Sequence, residues 1–284
     1  MKKILVYHLY VNDIITDNKS YEIHRLCLKH YKNVFDKMIF YICVNDLSNI
    51  EIINDAMSWV SSICIDKHFE IKVRKNTYLC ESNTFKEEIF EKRQEYRDCF
   101  IFVAHSKNAT RLSKNLDSVS FEIEVVEKSL INWCIAVYFY SLNFIDEMER
   151  TLLGVPRPSE IFYGSLLTQL NDPTSSPMLR MNVGNCFYSG CFFWINMNKF
   201  NNYLDKGIKS LPLIDYRFWL EMLPGVMGGR QMYGDGCSSH NDIALNDDFN
   251  LYSSNDEIWE YIINILGNND EYWQLNNNIM QQIL

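Results

Sequence analysis

Three short runs of this chain bring together residue types that can do chemistry. The first is Phe100–Asn108, where an apolar stretch ends in His105-Ser106-Lys107-Asn108. An imidazole, a hydroxyl, an ammonium and an amide at one strand end suit the oxygens of a phosphate or diphosphate. The same types also make an ordinary polar turn. The second is Phe187-Tyr188-Ser189-Gly190-Cys191-Phe192-Phe193-Trp194. Ser189-Gly190 lets backbone approach a ligand closely, and the flanking rings can stack on a sugar; a buried strand with a bulge explains the run equally well. The third is Asp215–Gly225, with Asp215, Arg217 and Glu221. Arg217 and Glu221 are four apart and share a helical face, so they can pair. The plain reading is a structural ion pair. The chemical reading is a carboxylate oriented by Arg217 to act as general base. A lesser signal is Asn45-Asp46, which ends a strand where a base or ribose can be touched.

These runs need a scaffold that places them at strand ends. Lys3–Val11, Lys37–Val44, Phe69–Val73 and Cys99–Ala104 read as strands, the second and fourth as continuous apolar runs buried on both faces. Between them, Tyr21–Tyr31 and Ile50–Ile63 carry apolar residues at helical spacing. Thr84–Tyr96 reads as a charged amphipathic helix with Thr84 as N-cap and Glu87 completing a capping box. Strand–helix alternation with short connections predicts βαβ units and a parallel sheet. In such a sheet ligands bind beyond the carboxyl ends of the strands. Farther on, Ser120–Leu153 reads as one or two core helices. Asn185–Asn196 reads as a strand with an interior glycine, and Asn198–Leu204, Asp215–Met222, Asp256–Leu266 and Asp270–Leu284 as helices.

Composition narrows the classes. The chain has 284 residues, 47% hydrophobic and 14% aromatic, so it has ample apolar surface to bury and is not a disordered chain. Its net charge of −9 leaves little basic surface for gripping nucleic acid. The 9 Cys contain no Cys-x-x-Cys, so a zinc knuckle is not expected, and buried thiols in a reducing compartment are. The longest apolar stretch, Leu130–Ile145, is shorter than the roughly 20 residues of a membrane span. Met1–His8 lacks the pattern of a signal peptide. The expectation is a soluble cytoplasmic protein, with attachment to the inner face of the cytoplasmic membrane left open. The glycine-rich dinucleotide fingerprint, the Walker A run and the Gly-x-Ser-x-Gly nucleophile turn do not occur in the sequence.

Taken in order, the three runs resemble a group of bacterial glycosyltransferases that accompany capsule and other surface-polysaccharide genes. The counterparts are the opening strand Ile4–Val11, the His105-Ser106-Lys107 step, the Trp133–Tyr138 segment, Tyr188–Trp194 and Asp215–Gly225. The likeness spans residues 1 to about 225. This sequence departs from the pattern at Asn108, where glycine is usual. His105-Ser106-Lys107 stands where GT-A enzymes carry an Asp-x-Asp metal motif.

The resemblance implies a GT-A-like, Rossmann-type, mostly parallel sheet flanked by helices. The expected organisation is a catalytic domain over 1–240 and a helical C-terminal extension over 241–284. It implies a nucleotide-diphosphate sugar as donor, a UDP-sugar first among them, and a glycan or lipid-linked acceptor. Tyr7, His8, Tyr10 and Asn45 would lie near the base or ribose, His105, Ser106 and Lys107 at the diphosphate, and Ser189 and Gly190 against the sugar. If the enzyme inverts, Glu221, oriented by Arg217, or else Asp215, would be the base for the acceptor hydroxyl; a retaining enzyme would not need that base. Lys107 would neutralise the leaving group, so a divalent metal is not part of the expectation. The competing reading is a non-catalytic carbohydrate- or nucleotide-binding module of a polysaccharide assembly complex.

Overall fold

A computed structural model of the chain describes residues 1–16, 18–106, 191–206 and 270–283. It also describes residues 134, 135, 137–139, 142, 220 and 223 and the backbone of 162–164, 167–169 and 186–188.

The first strand, β1 (Lys2–Val11), is a run of β-branched and aromatic residues that is buried from Ile4 to Leu9. The loop after it ends at Asn18, whose side chain accepts from Ser20 N at 3.0 Å and caps α1 (Lys19–Tyr31). Next, β2 (Lys37–Val44) is buried at every position from Met38 on, as a seven-residue apolar run demands. Asn49 caps α2 (Ile50–Ile63), accepting from Ile52 N. Ile53, Ala56, Trp59, Val60 and Ile63 are the buried face of α2. Burying each large side chain of this kind stabilises by about 1.5–3 kcal/mol. β3 (Phe69–Lys75) pairs in parallel with β2, from Met38↔Phe69 to Val44↔Lys75. β4 (Cys99–His105) pairs in parallel with β1, from Lys2↔Cys99 to His8↔His105.

The remaining strands are short: β5 (Phe162–Gly164), β6 (Leu167–Gln169), β7 (Cys186–Tyr188) and β8 (Phe193–Asn196). β8 runs antiparallel to both β4 and β5, and β6 and β7 form a separate two-stranded pair. The main sheet has six strands in the order β3-β2-β1-β4-β8-β5. The protein is therefore α/β, with a mixed, mostly parallel sheet and helices. Its winding proceeds β1, β2, β3 to one side and returns to place β4 on the other side of β1. That reversal is a topological switch point, where open α/β sheets bind ligands.

The chain divides into two compact units. One comprises Met1–His8, Thr77–His105 and Tyr140–Asp248. Its described core is built on β4 and β8, with Phe102 and Trp194 in register and their rings 5.1 Å apart. The helix α4 (Met197–Asp205), capped by Asn196, buries Met197 and Phe200. The other unit comprises Leu9–Asn76, Ser106–Phe139 and Phe249–Leu284. Here α1 packs against α2 and against α5 (Asp270–Ile283). A buried hydrogen bond of 2.9 Å joins His24 Nδ1 to Tyr138 Oη. Among the described residues no helix is long and apolar enough to cross a membrane.

Two sequence expectations change. The capping box at Thr84 does not form. The helix begins earlier, as α3 (Glu81–Thr84), and passes into a π-helical segment over Phe85–Phe90 followed by turns to Asp98. Thr84 lies inside the helix, and its hydroxyl bonds His8 Nδ1 at 2.8 Å. Glu87 accepts from the Asn83 side chain instead of reaching back to a cap. The second change is Asn185–Asn196. The run is not one strand but is split between β7 and β8, which belong to different sheets. Just before β8, Cys191 takes φ = 55°, a left-handed conformation outside the extended range of a strand. The Asp215–Met222 and Asp256–Leu266 helices lie outside the described residues, apart from Leu220, which is helical and buried.

Candidate functional site

The carboxyl end of β1 is fastened by side chains from three other segments of the second unit. Tyr10 N donates to Ser106 Oγ at 3.1 Å, and the same oxygen lies 3.5 Å from Tyr10 O. Ser106 is the residue that follows β4, so this bond ties the end of β1 to the exit of β4 at the switch point. Tyr21 Oη, from the first turn of α1, donates to Tyr10 O at 2.7 Å. Asn45 Nδ2, just beyond β2, donates to Tyr10 Oη at 2.9 Å. Tyr10 is half-buried and Asn45 exposed, whereas Ser106 is buried. The result is a phenol ring and an amide held at the solvent edge, with the backbone behind them pinned. A ring and an amide in that setting can stack on and hydrogen-bond to a planar heterocycle.

The loop after β1 is pinned as well. Ile15 N donates to Asp55 Oδ2 at 2.6 Å and the Thr16 hydroxyl bonds the other oxygen of the same carboxylate. Beyond β2, Ser48 N donates to Asp46 Oδ1 at 2.9 Å. That bond, then the Ser48 hydroxyl and Lys75, hold the Asp46 carboxyl below its ordinary value. Burial, followed by the nearby Tyr10 and Asp13, pushes the Tyr21 phenol well up, so it remains a protonated donor to Tyr10 O.

In the first unit, His8 and His105 are register partners on adjacent parallel strands. Residues paired in this way project from the same face of the sheet. His8 is only 3% exposed and is held through Nδ1 by Thr84. His105 is half-buried at the end of β4, with its ring 5.4 Å from that of Phe192.

The sequence-predicted residues fall into three groups. Tyr10, Asn45 and Ser106 come together by direct hydrogen bonds. His8 and His105 pair in register, but His8 is a buried residue fixed by Thr84 rather than an exposed contact for a base. Tyr7 has no exposed surface, because β1 is covered on both faces and its ring belongs to the core. Stacking on a base needs an accessible ring, which Tyr10 has and Tyr7 lacks. Lys107, Ser189, Gly190, Asp215, Arg217 and Glu221 lie outside the described residues. Sequence reasoning passed over Tyr21 and Asp55 and read Thr84 only as a helix cap. Each acts on a residue 11 to 76 positions away, so only its place beside a strand-end loop marks it.

A buried carboxylate was also missed. Glu88, 1% exposed in the π-helical segment, accepts from the Tyr96 hydroxyl and from Lys92 Nζ at 2.7 Å. Among the described residues no group of three or more His, Cys, Asp or Glu is placed to hold a metal ion. A groove of about 410 Å³ lies between α1 and α5, lined by Leu26, Lys29, His30 and residues of α5. None of the sequence-predicted residues borders it.

Fold and strand-end geometry together define an α/β protein with a built switch point. No protein-family model, curated protein or solved structure matches the chain.

Proposed function

We propose that this protein is a glycosyltransferase of GT-A-like, Rossmann-type architecture. It moves a sugar from a nucleotide-diphosphate sugar, a UDP-sugar first among them, to a glycan or lipid-linked acceptor of surface-polysaccharide synthesis. One observation carries the reading. The bond between Ser106 and the Tyr10 backbone holds Ser106, the residue that follows β4, at the carboxyl end of β1. That is where a doubly wound sheet receives a nucleotide.

In this reading Tyr10 and Asn45 face the base or ribose. Ser106 serves the site indirectly, since its hydroxyl is occupied by Tyr10. Lys107, the next residue, supplies the positive charge for the departing diphosphate, which is electrostatic stabilisation of a leaving group. His105 is a second donor beside it. Ser189 and Gly190 face the sugar, and Glu221, oriented by Arg217, or else Asp215, takes the proton of the acceptor hydroxyl. No metal ligand is required of the chain itself.

The test is release of nucleoside diphosphate from a panel of nucleotide sugars, with and without manganese. The reading expects turnover that is lost in Lys107→Ala, falls sharply in Glu221→Gln or in Asp215→Asn, and survives a chelator. Turnover abolished by chelation and restored by manganese would remove Lys107 from its assigned role. Absence of turnover with every donor, alongside intact binding, would leave a binding module in place of an enzyme.

A further inference from the structure

Among the described residues, β3 is the outer strand of the main sheet and pairs with β2 alone. Its sequence, Phe69-Glu70-Ile71-Lys72-Val73-Arg74-Lys75, alternates strictly between apolar and charged residues up to Arg74. Phe69, Ile71 and Val73 share the face of Met38, Phe40 and Ile42, their register partners. None of the three is fully buried, and Val73 is 39% exposed. The other face carries Glu70, Lys72 and Arg74. There Lys37 and Lys72 lie 2.6 and 3.9 Å from Glu70, and Arg74 and Lys72 sit over the Tyr41 ring.

An outer strand presents a row of outward N–H and C=O groups to any strand that fits, and lysines there ordinarily repel a newcomer. In β3 a glutamate sits two residues from the first lysine, so one arrangement turns repulsion into attraction. If two copies of β3 pair antiparallel about a two-fold axis at Ile71, Glu70 faces the partner's Lys72 and Lys72 faces the partner's Glu70. On the opposite side, Phe69 faces the partner's Val73, Ile71 meets its own counterpart, and Val73 faces the partner's Phe69. Over Phe69–Val73 every facing pair is then apolar with apolar or opposite in charge, the combinations that stabilise cross-strand neighbours, while Arg74 and Lys75 face the partner's His68 and Lys67 at the two ends. An axis at Lys72 faces Glu70 with the partner's Arg74 but sets lysine against lysine and Phe69 against the partner's Lys75, and an axis at Glu70 sets glutamate against glutamate. A one-residue slip would place apolar residues against charged ones. The axis at Ile71 is the register in which all five positions from Phe69 to Val73 are self-complementary, as an isologous interface requires.

We propose that β3 is a homodimerisation edge, joining two copies of this chain by antiparallel pairing centred on Ile71. Sedimentation of the full chain over a concentration series should show a monomer–dimer equilibrium. Glu70→Lys and Lys72→Glu each replace two attractive facing pairs by two repulsive ones and should weaken association roughly tenfold or more. Mixing these two variants should restore it, because each then meets the complementary charge, and the double reversal should associate by itself. Ile71→Asp, which leaves the Lys37–Glu70 pair in place, should abolish association by setting two carboxylates against each other on the axis. Circular dichroism melts check that each variant is folded. A wild-type chain that stays monomeric at all concentrations would overturn the proposal. So would single charge reversals without effect, or a mixture that fails to associate.

Discussion

Replacing Ser106 by alanine tests the strand-end geometry on which the site rests. The variant loses one buried oxygen. Its bond from Tyr10 N, at 3.1 Å, is a full hydrogen bond, while the 3.5 Å contact with Tyr10 O is at the limit of bonding and adds little. Tyr10 O keeps its bond from Tyr21 Oη. The cost is therefore that of stranding one part-buried backbone N–H, about 1–2 kcal/mol, toward the lower end of what an unsatisfied buried donor costs. A loss of about 1–2 kcal/mol multiplies an opening equilibrium by roughly 5- to 30-fold. Native-state hydrogen exchange at the Tyr10 amide should accelerate by that factor, and the melting temperature should fall by about 2–8 °C. Ser106→Thr keeps an oxygen at the same position and should recover most of both effects. Unchanged exchange at Tyr10 in Ser106→Ala would refute the argument, because it would mean that the hydroxyl does not hold the end of β1.

Further outcomes follow from other contacts. Thr84→Val keeps the shape of Thr84 but removes its bond to His8, and should cost about 1–3 kcal/mol in a denaturant titration. His30 is lowered below its ordinary 6.5 by burial, so the unfolded chain takes up that proton first as pH falls. Stability should therefore fall as pH drops through and below 6.5, only slightly because His30 lies near the surface, and His30→Gln should flatten that part of the curve. The Cys64 thiol is pushed up to about 12 by burial, with Lys32 opposing. Alkylation at pH 8, followed by mass spectrometry, should leave Cys64 unmodified in the folded chain under conditions that label it fully in denaturant.

How much of this was legible in the sequence varies by element. β2 and α2 have the bounds their pattern implies, because an unbroken apolar run and an Asn-capped amphipathic repeat each leave one economical conformation. The Thr84 region misled for a physical reason. A Thr-x-x-Glu signature records what the hydroxyl and carboxylate can do locally, but here the hydroxyl is taken by His8, 76 residues away. Glu88, Lys92 and Tyr96 are four apart and meet on one face, but a charge pattern reads as a solvated face and does not reveal that Glu88 is buried. Periodicity also cannot tell that Tyr188 and Phe193 belong to different sheets, since strand partners lie far away in sequence. In the site, residue type picked out Tyr10, Asn45 and Ser106, which meet. It could not separate Tyr10 from Tyr7, because both are strand tyrosines and only the covering layers decide which ring reaches the surface.

The central claim is that the β1–β4 switch point receives a nucleotide-diphosphate sugar. Thermal melting of the whole protein against graded UDP-, GDP-, CMP- and dTDP-sugars tests it most directly, since a ligand that binds the folded state raises the melting temperature by mass action. The account predicts a dose-dependent rise with at least one nucleotide diphosphate sugar, diminished in Tyr10→Ala and lost in Lys107→Ala. A flat response to every donor, or a rise that Lys107→Ala leaves intact, would contradict it.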